Sequence, residues 1–133
     1  MATANITTQP FIADAKSIDR LNGATIDWSA VTEVDADGNK MVSAGTIMSR
    51  ETDGFTPAKD AATAVSAILE ASAYAHEQSN DALSGYGMIV GGVIYDNLLP
   101  DAGEVNFATW KTALEAYGNG FTWITYGDSR DNS

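Results

Sequence analysis

No cysteine occurs in this sequence, so disulfides, thiolate chemistry and cysteine-ligated zinc are excluded. Histidine occurs once, at position 76, which leaves no histidine pair for a metal or a catalytic relay. Bases are scarce: seven Lys and Arg stand against eighteen Asp and Glu, for a formal net charge of −11. Proteins that bind nucleic acid normally displace counterions from phosphates with clustered Lys and Arg, and no such cluster is present. The same shortage argues against attraction to an anionic membrane surface. A charge of this size favours solubility and repels polyanions. No apolar run approaches the length needed to span a membrane. The first twenty residues lack the basic start and apolar centre of an export signal. The expectation is therefore a protein made and folded in a cytosol, where the sequon "NIT" at residues 5 to 7 is idle.

What remains is a 133-residue chain with 44% apolar residues, enough for one domain with a hydrophobic core. Residues 1 to 23 are polar and lack sustained periodicity. Within them "ITTQPFI" mixes β-branched residues with Pro10, which favours extended backbone and blocks helix. The reading is an extended N-terminal arm, with a disordered terminus as the alternative. In "ATIDWSAVTEV", residues 24 to 34, Ile26, Trp28, Val31 and Val34 among polar residues predict a strand. Asp37-Gly38 predicts a turn, "MVSAGTIMSR" a second strand, and Asp53-Gly54 a second turn, the grammar of an antiparallel meander.

Residues 60 to 76, "DAATAVSAILEASAYAH", conflict with themselves. Their alanines and leading Asp60 favour a capped helix, while their alternation also suits a strand; taken alone they lean to helix. "GYGMIVGGVIYDNLLP", residues 85 to 100, predicts a strand buried on both faces, with a bulge or close backbone approach at Gly91-Gly92. Residues 104 to 117 predict a helix, because Phe107, Trp110, Leu114 and Tyr117 form one stripe. Asp101 and Glu104 resemble a capping box at its start, and Gly118 is the expected stop. "FTWITY", residues 121 to 126, predicts a closing strand, and residues 127 to 133 a polar tail.

Candidate chemistry is sparse. "EVDADGN" offers Glu33, Asp35 and Asp37 as calcium-loop oxygens, but Lys40, Met41 and Val42 follow where a loop would continue, so a hairpin turn is the better account. Gly85, Gly87 and Gly91 approach a dinucleotide-binding pattern but lead into an apolar strand rather than a helix. His76 stands beside Glu77 and near Asp81, yet nothing marks a nucleophile or an oxyanion site, so a small hydrolase ranks last. Asp96, Asp101 and Glu104 are a chance set of acids before they are a glycosidase pair. Trp28, Trp110 and Trp123 are candidates for a sugar-stacking platform, although the patterns around Trp110 and Trp123 favour core packing.

At "AGTIMSRETDGFTPA" followed by "GMIVGGVIYDNLLP" the chain resembles the head decoration, or cement, proteins of tailed bacteriophages, the lambda-type group. Three features carry the resemblance. They are Ala44-Gly45-Thr46-Ile47 leading to Arg50 and the turn at Asp53-Gly54, the Ala/Val/Ile/Leu segment at 64 to 71, and the apolar "GGVIYDNLLP". The late helix "TWKTALEAYG" and closing "FTWITY" follow in a similar order, so the likeness covers residues 24 to 126. The arm and tail carry no matching motif. The resemblance implies a mainly β fold, a small antiparallel β barrel or tulip-like domain with one short amphipathic helix near the C-terminus. It implies that residues 64 to 74 form a strand. It also implies a structural virion protein rather than an enzyme, without cofactor or metal. Such a protein is a homotrimer on the outer capsid surface, assembled in the bacterial host cytoplasm and bound to the major capsid protein, with no nucleic acid or membrane partner. In that family an N-terminal arm engages the capsid, which here nominates Ile6, Thr7, Thr8, Gln9, Pro10, Phe11 and Ile12. The runner-up reading is a calcium- or carbohydrate-binding β-domain.

Overall fold

The computed structural model describes residues 9–75, 86–116 and 120–127. It is mainly β, with one α-helix. The strands are β1 (Ile12–Ala24), β2 (Met41–Val42), β3 (Ile47–Glu51), β4 (Gly54–Pro57), β5 (Val65–Leu69), β6 (Ala73–Tyr74), β7 (Tyr86–Tyr95) and β8 (Phe121–Ile124), and the helix α1 is Phe107–Ala116. Six strands form one sheet in the order β1-β7-β5-β3-β4, with β8 also paired to β7; β2 and β6 form a separate ribbon.

The spine of the sheet is β7. One side of it is lined by β1, while β5 and β8 share the other, at Met88–Ile89 and Gly92–Tyr95 respectively. All pairings are antiparallel except β7–β8, which is parallel. The two edge strands β1 and β4 are not paired with each other. Instead the chain leaving β1 crosses to the far edge, where Ile26 makes a single parallel bridge with Phe55 of β4.

Successive residues of a strand face opposite sides, and the core divides accordingly. Ile47, Ile68, Ile89 and Ile94 lie on the side covered by α1, where they meet Phe11, Leu99, Trp110, Leu114 and Phe121. Met48, Ala67, Leu69 and Met88 lie on the other side, against Ala24, Ile26, Val31, Val42 and Phe55. The expectation that the Met88–Tyr95 run is buried on both faces is met by Met88 on one side and Ile89 and Ile94 on the other.

The glycine pair is also where a close approach occurs. The β1–β7 register slips between Asp14↔Val93 and Asp19↔Gly91, so β1 bulges around Ser17 and Ile18. Gly92 has φ +141°, and a Cβ there would fall 2.6 Å from Ile18 Cδ1. Ser17 fastens the bulge, its hydroxyl donating to the Asp14 carbonyl and accepting from Val93 N–H.

Five sequence expectations are corrected. Residues 12 to 23 are not an arm outside the domain but most of β1, so the folded body begins near Phe11 rather than at residue 24. Residues 24 to 34 form no continuous strand. Asp27 Oδ1 accepts from Ser29 N–H and Oγ and turns the chain into a 3-10 turn at Trp28–Ala30, a local hydrogen bond competing with a ladder. "MVSAGTIMSR" divides into β2 and β3, broken by a turn in which Thr46 N–H donates to the Ser43 carbonyl. Residues 65 to 69 are a strand, overruling the helix lean. Every one of those five side chains is buried, whereas a surface helix would bury one stripe. The proposed capping box is absent, because Asp101 lies in a 3-10 turn and its carboxylate accepts from Ile47 N–H at 2.9 Å, across the domain. The helix stripe itself holds, with Trp110 and Leu114 buried and Phe107 packed beside them. Tyr117 and Gly118 lie outside the described residues.

Candidate functional site

The nominated capsid-binding segment meets the folded body at Phe11. Phe11 is 3% exposed and Ile12 is 7% exposed, and both belong to the helix-side core. Ile12 N–H donates to the Gln9 carbonyl, and Tyr95 N–H donates to the Phe11 carbonyl, tying this stretch to the end of β7. Phe11 and Ile12 are thus committed to the core of this fold. Pro10 is exposed and Gln9 half-buried. Ile6, Thr7 and Thr8 lie outside the described residues.

The acidic turn is occupied by its own backbone. Asp35 Oδ1 accepts from Asp37 N–H and Asn39 N–H, both at 2.9 Å. Glu33 accepts from the Ser43 hydroxyl and faces Lys59 Nζ at 3.6 Å. Among the described residues no group of three or more His, Cys, Asp or Glu is placed to hold a metal ion. His76 lies outside the described residues, as do Glu77 and Asp81.

The three later acids do not converge either. Asp96 is paired with Lys111 Nζ at 2.8 Å. Asp101 is 2% exposed, and burial pushes its carboxyl above the usual range despite the Ile47 N–H. Glu104 is exposed. The tryptophans are dispersed. Trp110 is in the core. Trp123 is stacked on Phe121 and lies under Lys111, with its Nε1–H donating to Glu115. Trp28 packs edge-on against Tyr86. No two of these form an open platform for a sugar.

Surface clefts also occur among the described residues. One, of about 340 Å³, lies between the end of β1 and the β3–β4 hairpin, with Asn22, Thr25, Arg50, Glu51 and Phe55 in its wall. Glu51 is held below the usual carboxylate range, first by the Ser49 hydroxyl and then by Thr63 N–H. Another, of about 280 Å³, is mostly apolar and lies between β5 and α1, lined by Arg50, Ala64, Val65, Ser66, Ala113 and Ala116. Arg50 borders both clefts and makes no side-chain hydrogen bond or ion pair among the described residues. Sequence reasoning passed over Arg50 and Ser66. Only the sheet register brings them beside the helix, so "SRETDG" and "AVSAIL" held no signal of it.

No helix among the described residues is long and apolar enough to cross a membrane. Comparison with protein-family models, with curated proteins and with solved structures returns no match for this chain.

Proposed function

We propose that this chain is a structural virion protein of the phage-head decoration type. On this reading it binds the outer surface of an expanded capsid as a homotrimer, contacts the major capsid protein and stabilises the shell against internal DNA pressure. The observation that carries the reading is where the resembling stretches fall. "AGTIMSRETDGFTPA" supplies the β3–β4 hairpin and "GMIVGGVIYDNLLP" supplies β7, the strand on which the sheet is built. The likeness therefore concerns the architecture and not a loop.

The physics is consistent with adhesion. A trimer bridging several shell subunits sums weak contacts by multivalency. A charge of −11 keeps it away from packaged DNA. With Phe11 and Ile12 buried, the arm's share of the contact falls to the residues ahead of them, which can reach a sheet edge by strand addition.

The test is light scattering on the full chain, for which a mass three times the 14.0 kDa of one chain is expected. Deleting residues 2 to 8 is expected to weaken binding to undecorated heads while leaving the thermal midpoint unchanged. A monomer at all accessible concentrations, or head binding indifferent to that deletion, would count against trimer and arm respectively.

A further inference from the structure

We propose that the cleft between β5 and α1 is a docking site for a protein segment that presents a carboxylate beside an aliphatic side chain. Three features of the cleft point there. The first is charge. Arg20, Lys59 and Lys111 are paired with Glu70, Glu33 and Asp96, and Lys40 Nζ donates to the Trp28 carbonyl. Among the described residues the Arg50 guanidinium has no such partner. Its sequence neighbour Glu51 is turned to Ser49 and Thr63. Lys16 is also unpaired, but it lies in the exposed bulge of β1 and lines neither cleft. An unpaired guanidinium at a cleft mouth suits a carboxylate, which it can bind through two parallel N–H bonds.

The second feature is Ser66. The register of β5 against β3 passes from Met48↔Ala67 to Ser49↔Val65, which makes Ser66 the extra residue of a bulge. The residue is 2% exposed, and its buried hydroxyl has no hydrogen-bond partner. Buried hydroxyls are normally satisfied, and an oxygen seated on Ser66 would accept this one. The third feature is the lining, in which Ala64, Val65, Ala113 and Ala116 leave an apolar recess between sheet and helix. Aliphatic carbon fits the recess, an anionic oxygen fits Arg50, and an acceptor oxygen, charged or neutral, fits Ser66.

Among the described residues the cleft is more open than enclosed, so it buries less than the 70–90% of surface that a typical small-molecule site covers. A free aliphatic acid would gain little there. A segment carried on a larger body that is already in contact gains effective concentration and needs only weak local affinity. The occupant is therefore assigned to a partner protein.

The experiment is an NMR titration of the isotope-labelled full chain with N-acetyl-leucinate, N-acetyl-leucinamide and hexanoate. The expected result is millimolar binding of N-acetyl-leucinate, with shifts concentrated at Val65, Ser66, Ala113 and Ala116, and at least ~fivefold weaker binding of the neutral amide. Arg50→Gln, an exposed substitution, should bring acid and amide within about twofold of each other. Ser66→Ala should weaken both probes while leaving the acid's preference intact. Equal binding of acid and amide to the wild-type chain, shifts centred elsewhere, or an unchanged preference in Arg50→Gln would overturn the proposal. Hexanoate binding more tightly than N-acetyl-leucinate would overturn its assignment to a protein segment and give the cleft to free acids.

Discussion

The two faces of the sheet are covered in different ways. The helix side is closed by α1 and by residues from near both ends of the described chain, with Phe11, Ile94, Leu114 and Phe121 in one cluster. The opposite side is closed by residues 24 to 42, which are almost entirely irregular. There the backbone is satisfied by side chains: Asp27 caps the 3-10 turn, Asp35 holds the acidic turn and Glu33 anchors Ser43. The first face depends on apolar volume gathered from distant sequence, the second on polar side chains acting close to home. Damage to the first should act through cavities, and damage to the second through lost hydrogen bonds and backbone strain.

The largest effect is expected at Phe11. Phe11→Ala should cost about 3–5 kcal/mol in a urea titration, because a buried ring would be removed from a packed cluster. A residue in a free arm would cost almost nothing, so a loss below about 0.5 kcal/mol would break the comparison at its first term. Next comes Gly54, at the start of β4 under the irregular cover. It has φ +138°, and a Cβ would sit 2.9 Å from the Thr25 carbonyl oxygen. Gly54→Ala should cost about 2 kcal/mol through backbone strain. Asp35→Ala, which leaves Asp37 N–H and Asn39 N–H without their acceptor, should cost about 1 kcal/mol. If Asp35→Ala cost more than Phe11→Ala, the proposed division between the faces would be reversed.

Asp101 gives a pH-dependent test of the helix side. Burial raises its carboxyl above the unfolded value, so the folded state holds the proton more tightly. The stability this contributes is complete below the unfolded pKa and is lost as pH rises through the folded one. Asp101→Asn keeps an oxygen that can accept from Ile47 N–H and removes the titration. The variant's stability should therefore fall less than the wild type's between mildly acidic and neutral pH, measured by melting at matched ionic strength. The smallest effect belongs to the surface. Arg20 and Glu70 bridge β1 to the end of β5 through two hydrogen bonds, with side chains 39% and 26% exposed. Arg20→Gln should cost about 0.5 kcal/mol, shrinking as salt is added.

The legibility of the sequence follows the same division. On the helix side the signals were local and strong. The Phe107-Trp110-Leu114 stripe gave α1, and the apolar run around Gly91-Gly92 gave β7 with a bulge or close approach, whose partner, β1, only the structure names. On the other side Ile26, Trp28, Val31 and Val34 looked like strand positions, but of these only Ile26 and Val31 are buried, and an apolar pattern does not report hydrogen bonding. Asp27 and Ser29 had already taken the local hydrogen bonds. The segment at 65 to 69 was misleading for the opposite reason. The alanines of residues 60 to 76 around it favour helix in isolation, and only burial between β3 and β7 makes it a strand. Phe11 was nominated as a capsid contact, but whether it is buried in its own domain or in a partner is a question of long-range contact that no window of sequence carries. The same holds for Arg50, whose lack of a partner among the described residues becomes visible only when the sheet has placed its neighbours.

The adhesion reading rests most directly on binding to a shell. Purified full-length protein mixed with expanded, undecorated phage heads and sedimented through a cushion should pellet with the heads. Binding should saturate in multiples of three copies per site and raise the temperature at which the heads rupture. Protein left entirely in the supernatant, while an unrelated decoration protein of similar mass pellets with its own heads, would contradict it.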